Sequence, residues 1–294
     1  MTPPPEENYL SRFQKVLDYI DTHLDNDLTV DLLSQVASFS KFHFHRQFSE
    51  LFGINVYKYI QLTRLKRASY QLAFRTQNPV THIALESGYE GPESFSRAFK
   101  KILGQSPTEF RKQPHWHDWH ATFKSLDDIR ITRMTTLESV KQVQIINFPE
   151  TQIAALEHRG DPQLLGQSIR RFIEWRKQHQ LTPSLSKTFN ILYEDPENID
   201  PEQYRIDIGV ETNMLIKDDS IGMVSKTIPS GRCAVLRHIG SDDLLRKAIH
   251  NLYAIWLPSS GEELRDFPVF LQRIKFFPDV PKSEAVIDIF LPLK

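Results

Sequence analysis

The sequence predicts an α + β multidomain protein. An all-α domain with two helix-turn-helix units comes first, and an α+β domain of two duplicated strand-helix-strand-strand modules follows. Three observations carry that reading. In the first third, Phe44, Arg46, Phe48 and Gly53 recur as Phe95, Arg97, Phe99 and Gly104 at a constant offset of 51, and Phe39 recurs as Tyr89 at 50. In the second half, Pro149, Ala154, Leu156, His158, Gly160, Leu164, Leu165 and Ile169 match Pro229, Ala234, Leu236, His238, Gly240, Leu244, Leu245 and Ile249, all at an offset of 80. Finally, apolar spacing changes from a helical to a strand-like period at about Val143.

The elements follow in order. Leu10, Phe13, Val16, Leu17, Ile20 and Leu24 mark an amphipathic helix over residues 8–25. Thr29 caps a short helix over Val30–Ala37, and Ser40 caps the first recognition helix, which ends near Gly53. A longer helix runs from Val56 to about Arg75 and carries the basic stretch Arg64–Arg67. At about 1.5 Å per residue it spans about 30 Å, close to the ~34 Å between successive major grooves on one face of DNA. Thr81–Ser87 and Pro92–Leu103 form the second helix pair, and Ser106-Pro107 opens a last short helix through Phe110. Residues 113–142 read as a linker, with Gln113–His120 neither helix- nor strand-periodic. Each later module opens with a strand ending in His-x-Gly and continues into an amphipathic helix; Ile206–Ile208 and Ile287–Ile289 are matching late strands at an offset of 81. The domains are therefore 1–112, a linker over 113–142, and 143–294. Two similar modules side by side leave a cleft at their pseudo-twofold axis, a usual place for a ligand.

Composition bounds the function. With 294 residues the chain has room for two or three cores, and 40% hydrophobic with 25% charged residues is ordinary for a soluble protein. A single cysteine, Cys233, excludes an intramolecular disulfide and fits a reducing cytoplasm. The polar, acidic start lacks the pattern of a signal peptide, and no apolar run reaches membrane-span length. The net charge of −1 hides an uneven distribution. Residues 38–113 hold twelve Lys/Arg against five Asp/Glu, a net +7, whereas the flanking parts are −5 and −3. The positive excess coincides with the helix repeat, as phosphate binding requires.

On the first recognition helix Phe44, Phe48 and Leu51 or Phe52 face inward, which turns Lys41, Phe42, His45, Arg46 and Ser49 outward. Arg46 suits guanine O6 and N7, Phe42 a thymine methyl, and His45 a base edge. The second helix exposes Pro92, Glu93 and Ser94 in its first turn and Arg97 one turn later. Glu93 either accepts from cytosine N4 or complements the helix dipole. The amides and hydroxyl at Gln105-Ser106 are placed to take a phosphate. His115, His117, Asp118 and His120 cluster beside two tryptophans; packing on a domain face is favoured over a metal site, and no metal or cofactor is expected. The recurrence of His158 as His238 points to a structural role, and Cys233 to inert core.

Ile83-Ala84, Gly88-Tyr89, Phe95–Lys100, Gly104, Pro107 and Phe110-Arg111 resemble the AraC/XylS family of transcription regulators over roughly residues 8–112. Ser38 departs from it where glycine is common, and Leu33 where alanine is common. Residues 143–294 resemble the GyrI-like effector-binding domain, and the domain order is similar to that of Rob-type regulators. The resemblance implies a cytoplasmic, sequence-specific regulator, an activator, with double-stranded DNA, a small-molecule effector and RNA polymerase as partners. Residues 42, 45 and 46 would face the bases. It also implies an aromatic cleft with an acidic residue for cationic ligands, for which Trp175, Tyr193, Glu194, Tyr253, Trp256 and Phe276 are available. Gln272-Arg-Ile274 stands where the second module often carries Glu-x-Tyr, which weakens both a cationic ligand and a hydrolytic step. Two rivals remain: a small-molecule hydrolase with an accessory DNA-binding domain, and a DNA binder whose C-terminal domain is a protein-interaction module.

Overall fold

The computed structural model describes residues 5–133, 143–196, 199–216 and 220–294. It divides into two units, residues 1–135 with 281–283 and residues 136–280 with 284–294.

The first unit is helical: α1 (Pro5–Thr22), α2 (Val30–Val36), α3 (Lys41–Phe52), α4 (Val56–Phe74), α5 (Val80–Glu86), α6 (Pro92–Leu103), α7 (Pro107–Lys112) and α8 (Trp116–Arg133). Local chemistry sets these boundaries. The side chains of Thr29, Ser40 and Asn55 accept from the amides of Leu32, His43 and Lys58, satisfying first-turn donors. Gly53 and Gly104 end α3 and α6 in the left-handed region, at φ of 72° and 71°.

Each helix-turn-helix unit has an aromatic core. In the first, the Phe13 ring of α1 lies 5.4–6.3 Å from those of Phe39, Phe44, Phe48 and Phe52. Of the two residues expected inward at the end of α3, Phe52 fills the core and Leu51 is half-buried. In the second, Phe95 and Phe99 meet Tyr89 and Phe110, and the ring contacts continue to Trp116, Trp119 and Phe123. Thus α1 closes one unit, and α7 and α8 close the other.

One sequence expectation is corrected here. The segment 113–142, read as a linker, contains α8. Trp116, Trp119, Phe123 and Leu126 recur at helical spacing and are all buried, and Trp119 Nε1 donates to Ser69 Oγ of α4 at 2.6 Å. Histidines and acids between the aromatics obscure that period. Residues 134–142 lie outside the described residues. The basic stretch of α4 is turned toward its neighbouring helices. Arg64 donates to the carbonyls of Leu24 and Asn26 at 2.9 and 2.7 Å, Lys66 pairs with Asp127, and Arg67 pairs with Asp25 and reaches the Glu86 carbonyl. All three serve helix packing, because α4 is covered by both helix-turn-helix units and by α8.

The second unit contains one eight-stranded antiparallel sheet. Its chain order is β1 (Gln144–Phe148), β2 (Thr151–Arg159), α9 (Leu165–Gln178), β3 (Thr188–Leu192), β4 (Arg205–Glu211), β5 (Met223–Ile228), β6 (Gly231–Ile239), α10 (Leu245–Asn251), a π turn over Leu252–Trp256, α11 (Leu257–Ser260), β7 (Phe270–Lys275) and β8 (Val286–Pro292). The order in space is β1-β6-β8-β7-β3-β4-β2-β5. The two modules meet at β3–β7, with Asn190 opposite Leu271, and they exchange first strands: β1 pairs with β6, and β5 with β2.

That exchange dictates the curvature. β1 and β2 lie six strand positions apart yet are joined by Pro149 and Glu150 alone. A flat sheet would separate them by about 29 Å at ~4.8 Å per strand, and the link reaches at most ~11 Å. The sheet must curl, and the same holds for β5 and β6 through Pro229 and Ser230. At this closed end the inner face is filled by Phe148, Ile228, Cys233, Phe270 and Phe290. The outer face carries the helices. Phe172 and Trp175 of α9 pack on Leu156, Ile208 and Val210, whereas Ala248, Leu252 and Trp256 pack on Leu236, Leu271 and Ile289.

Candidate functional site

The exposed face of α3 is set by Phe44 and Phe48, which are wholly buried. Lys41, His45 and Arg46 are exposed as the spacing requires; the Phe42 side chain lies outside the described residues. Lys41 Nζ donates to Asp31 Oδ2 at 2.8 Å, and this hydrogen bond raises its pKa. The pair is open to water on both sides, which leaves it weak. On α6, Pro92 occupies the first turn, Glu93 and Arg97 are exposed, and Ser94 is half-buried with its hydroxyl donating to the Gly91 carbonyl at 2.9 Å. Arg46 and Arg97 thus emerge at equivalent positions of two equivalent helices. Sequence reasoning missed Tyr57, which is exposed at the start of α4 with its ring 6.3 Å from that of His45, and the exposed Lys58, Lys100 and Lys101.

The expected phosphate position at Gln105-Ser106 is already occupied. Ser106 and Glu109 form a reciprocal capping box, with the Ser106 amide donating to Glu109 Oε2 at 2.7 Å. Gln105 is buried, donating to the Gln113 carbonyl and accepting the His115 amide. The acid three residues into the helix fills the anion site that a phosphate would take. In the histidine segment, His115 pairs with Asp118 at 3.6 Å, and among the described residues no three potential ligands converge on a metal position.

The inner face of the sheet is the candidate effector cleft. Toward its open end the aromatic lining gives way to ionic side chains, each fixed by strand alternation. Glu157 on β2 follows Ile153 and Ala155, Asp207 lies on β4, and Lys226 on β5 pairs with Ile153. Lys226 Nζ donates to Glu157 and, at 2.6 Å, to Asp207 Oδ2; Tyr193 Oη donates to the same oxygen at 2.7 Å. The Arg205 guanidinium lies over the Tyr193 ring, 3.8 Å from its centroid. In the other module, Arg237 grips Asp288 through two hydrogen bonds of 2.7 and 2.8 Å. The hydrogen bond from Lys226 holds the Glu157 carboxyl below its ordinary range, and burial, then the bond to Asp207, pushes the Tyr193 phenol up.

Only two of the seven expected cleft residues lie on this face. Tyr193 packs against the inner cluster, and Gln272 stands between Phe189 and Asp288 on the neighbouring strands. Glu194 turns to accept the Arg205 amide at 3.0 Å. Phe276 is half-buried beyond the end of β7. Trp175 and Trp256 are in the outer-face cores and Tyr253 is on the helical side, because aromatics at helical spacing seat the helices on the sheet. The missed residues had a signal. Asp207 and Asp288 each interrupt an Ile-x-Ile strand at matched positions, and a carboxylate repeated inside an apolar strand must have a partner. The paired histidines are structural as expected: His158 Nε2 bonds the Asp161 carbonyl and His238 Nε2 the Ser241 carbonyl, one geometry in both modules.

Comparison with known proteins follows the same division. Residues 141–294 match the family model of the GyrI-like small molecule binding domain, and residues 33–113 match a helix-turn-helix domain. The chain is 35% identical over 152 residues to the probable transcriptional regulator YgiV of Escherichia coli K12, covering 51% of this chain and 95% of that protein. It is 28% identical over 150 residues to the right origin-binding protein of the same organism, half of each chain. Among solved structures, the C-terminal domain of EcmrR aligns with 52% of this chain and 97% of its own, at 17% identity and a TM-score of 0.41.

Proposed function

The chain belongs to the GyrI-like small-molecule-binding family and carries an AraC-type helix-turn-helix domain before it; from that premise we propose how this transcription regulator reads DNA and where it takes its effector. The two exposed arginines, Arg46 and Arg97, each specify a base in one of two neighbouring major-groove segments. His45 and Tyr57 flank the first, and Lys41, Lys58, Lys100 and Lys101 hold phosphates. The observation that carries this reading is the equivalence of the two helices, each anchored by a buried phenylalanine pair and presenting one arginine at the same position. Arg46→Ala and Arg97→Ala should each weaken binding to the preferred site by about 1–3 kcal/mol while leaving random-sequence binding nearly intact. Equal weakening on all sequences in an equilibrium titration would assign both arginines to phosphate.

The effector sits on the inner face between Tyr193, Gln272, Asp207 and Asp288, and its occupancy sets the hold on DNA. Binding is favoured over turnover because the carboxylates of this face are engaged: Glu157 and Asp207 by Lys226, Asp288 by Arg237. Gln272 is not ionisable, so among the described residues named on this face every acid is already paired, which disfavours a hydrolytic step. Hydrolysis of p-nitrophenyl acetate by the full chain, lost on Asp207→Asn, would contradict this.

A further inference from the structure

We infer that Lys226 is a built-in cation that fills the acidic, aromatic subsite of the inner face and confines the effector to compounds without a positive charge. The inference rests on the reading of the inner face as the effector site and deepens it.

An organic cation leaving water needs carboxylate partners and an aromatic face. The β2–β4 side of the cleft offers that set: Glu157, the wholly buried Asp207 and the Tyr193 ring. The Lys226 ammonium already holds it. It bonds both carboxylates and lies 5.8 Å from the ring centroid, while Arg205 covers the ring at 3.8 Å. A ligand cation would have to expel Lys226 and then sit beside Arg205. The matching aspartate of the second module is likewise taken, by Arg237, and Gln272 adds no charge. A neutral aromatic compound meets no such obstacle. Val224 and Ile146, each 38% exposed, pair with Ala155 and Cys233 of the inner cluster and leave apolar surface on the same face.

Lys226 comes from β5, the strand that the second module lends to the first. The cation is therefore positioned by the strand exchange itself, and a single side-chain change removes it without altering any cleft aromatic.

The test is calorimetry on the full chain with two probes of similar shape, methyltriphenylphosphonium and triphenylphosphine oxide. The unmodified chain should bind the phosphine oxide at least tenfold more tightly than the phosphonium. In Lys226→Met the ratio of the two affinities should move at least tenfold toward the phosphonium, adding Glu157→Gln should reverse most of that shift, and Lys226→Arg should retain the exclusion. A folded Lys226→Met chain with an unchanged ratio overturns the inference while the cleft remains a ligand site. If no probe binds either protein, the reading of the cleft falls with it. Should Lys226→Met not fold, the unmodified chain decides: phosphonium binding as tight as that of the phosphine oxide overturns the inference, and tenfold weaker binding upholds it.

Discussion

Ser38 holds a backbone conformation that its helix-turn-helix counterpart assigns to glycine. Its φ is 53°, and that of Gly88 is 72°. A side chain at Gly88 is costlier: its Cβ would lie 2.6 Å from the Arg64 guanidinium carbon, displacing a group bonded to the Leu24 and Asn26 carbonyls, as well as in a left-handed conformation. Ser38 is exposed and bears only the conformational cost. Ser38→Gly should therefore stabilise the first unit by roughly 0.5–1 kcal/mol, the left-handed penalty less the added freedom of the unfolded chain; an unchanged or lower denaturation midpoint would refute this. His158 makes a second residue-scale prediction. Its Nε2–H donates to the Asp161 carbonyl and Nδ1 lies 2.9 Å from Ser168 Oγ, which can donate to it when the ring is neutral; burial lowers the pKa and favours that form. The unfolded chain takes up the proton more readily, so this stability is present above the ordinary histidine value of about 6.5 and is lost as pH falls through the lower folded value. His158→Asn should flatten the fall in urea midpoint below pH 6.5, and an unaltered slope would show the ring to be immaterial. At this scale the sequence revealed the inward and outward faces of α3, since its period is local. It could not reveal that Arg64, Lys66 and Arg67 are internal, because their partners lie 19 to 61 residues away.

Helix α8 decides how far the DNA-reading element extends. Its indoles cover α4 and close the second aromatic core, so we place the end of the independent unit near residue 133 rather than 112. The fragment 1–133 should melt cooperatively and bind DNA, and the fragment 1–112, with Phe110 and Ser69 uncovered, should be markedly less stable. In the full chain, Trp119→Ala should cost the first unit about 3–5 kcal/mol. A loss below about 1 kcal/mol, or fragments of equal midpoint, would show α8 to be an appendage. The helix was missed in the sequence because the histidines and acids of residues 115–120 interrupt the 116, 119, 123, 126 spacing at its start. In the second unit, repeated strands and helices were legible from the offsets of 80 and 81. The exchange of β1 and β5 was not, because a repeat specifies which residues are equivalent, not which copy they pair with.

For the whole molecule, duplication was used twice, and both times the copies diverged around a shared residue. In the first unit, both copies keep the same exposed arginine, and the outward chemistry differs around it: His45 and Tyr57 in one, Glu93 and Ser94 in the other. With both helices reading DNA as proposed, two unlike half-sites on one face of the duplex are expected, and an asymmetric bound sequence with them. In the second unit, the copies share their aspartate but neutralise it differently, through Lys226 with Tyr193 in one and Arg237 in the other. The cleft between them is therefore asymmetric as well. Its aromatic lining was misassigned from sequence because Trp175, Tyr253 and Trp256 are chemically suited to either face, and helical spacing sends them outward.

The central claim is that one chain reads two adjacent groove segments through Arg46 and Arg97. Hydroxyl-radical footprinting of the full chain on its preferred sequence, with each arginine replaced by alanine in turn, tests it most directly. The account predicts two protected segments about one helical turn, ~10 base pairs, apart, with Arg46→Ala releasing one and Arg97→Ala the other. A single protected segment, or both variants weakening both segments alike, would contradict it.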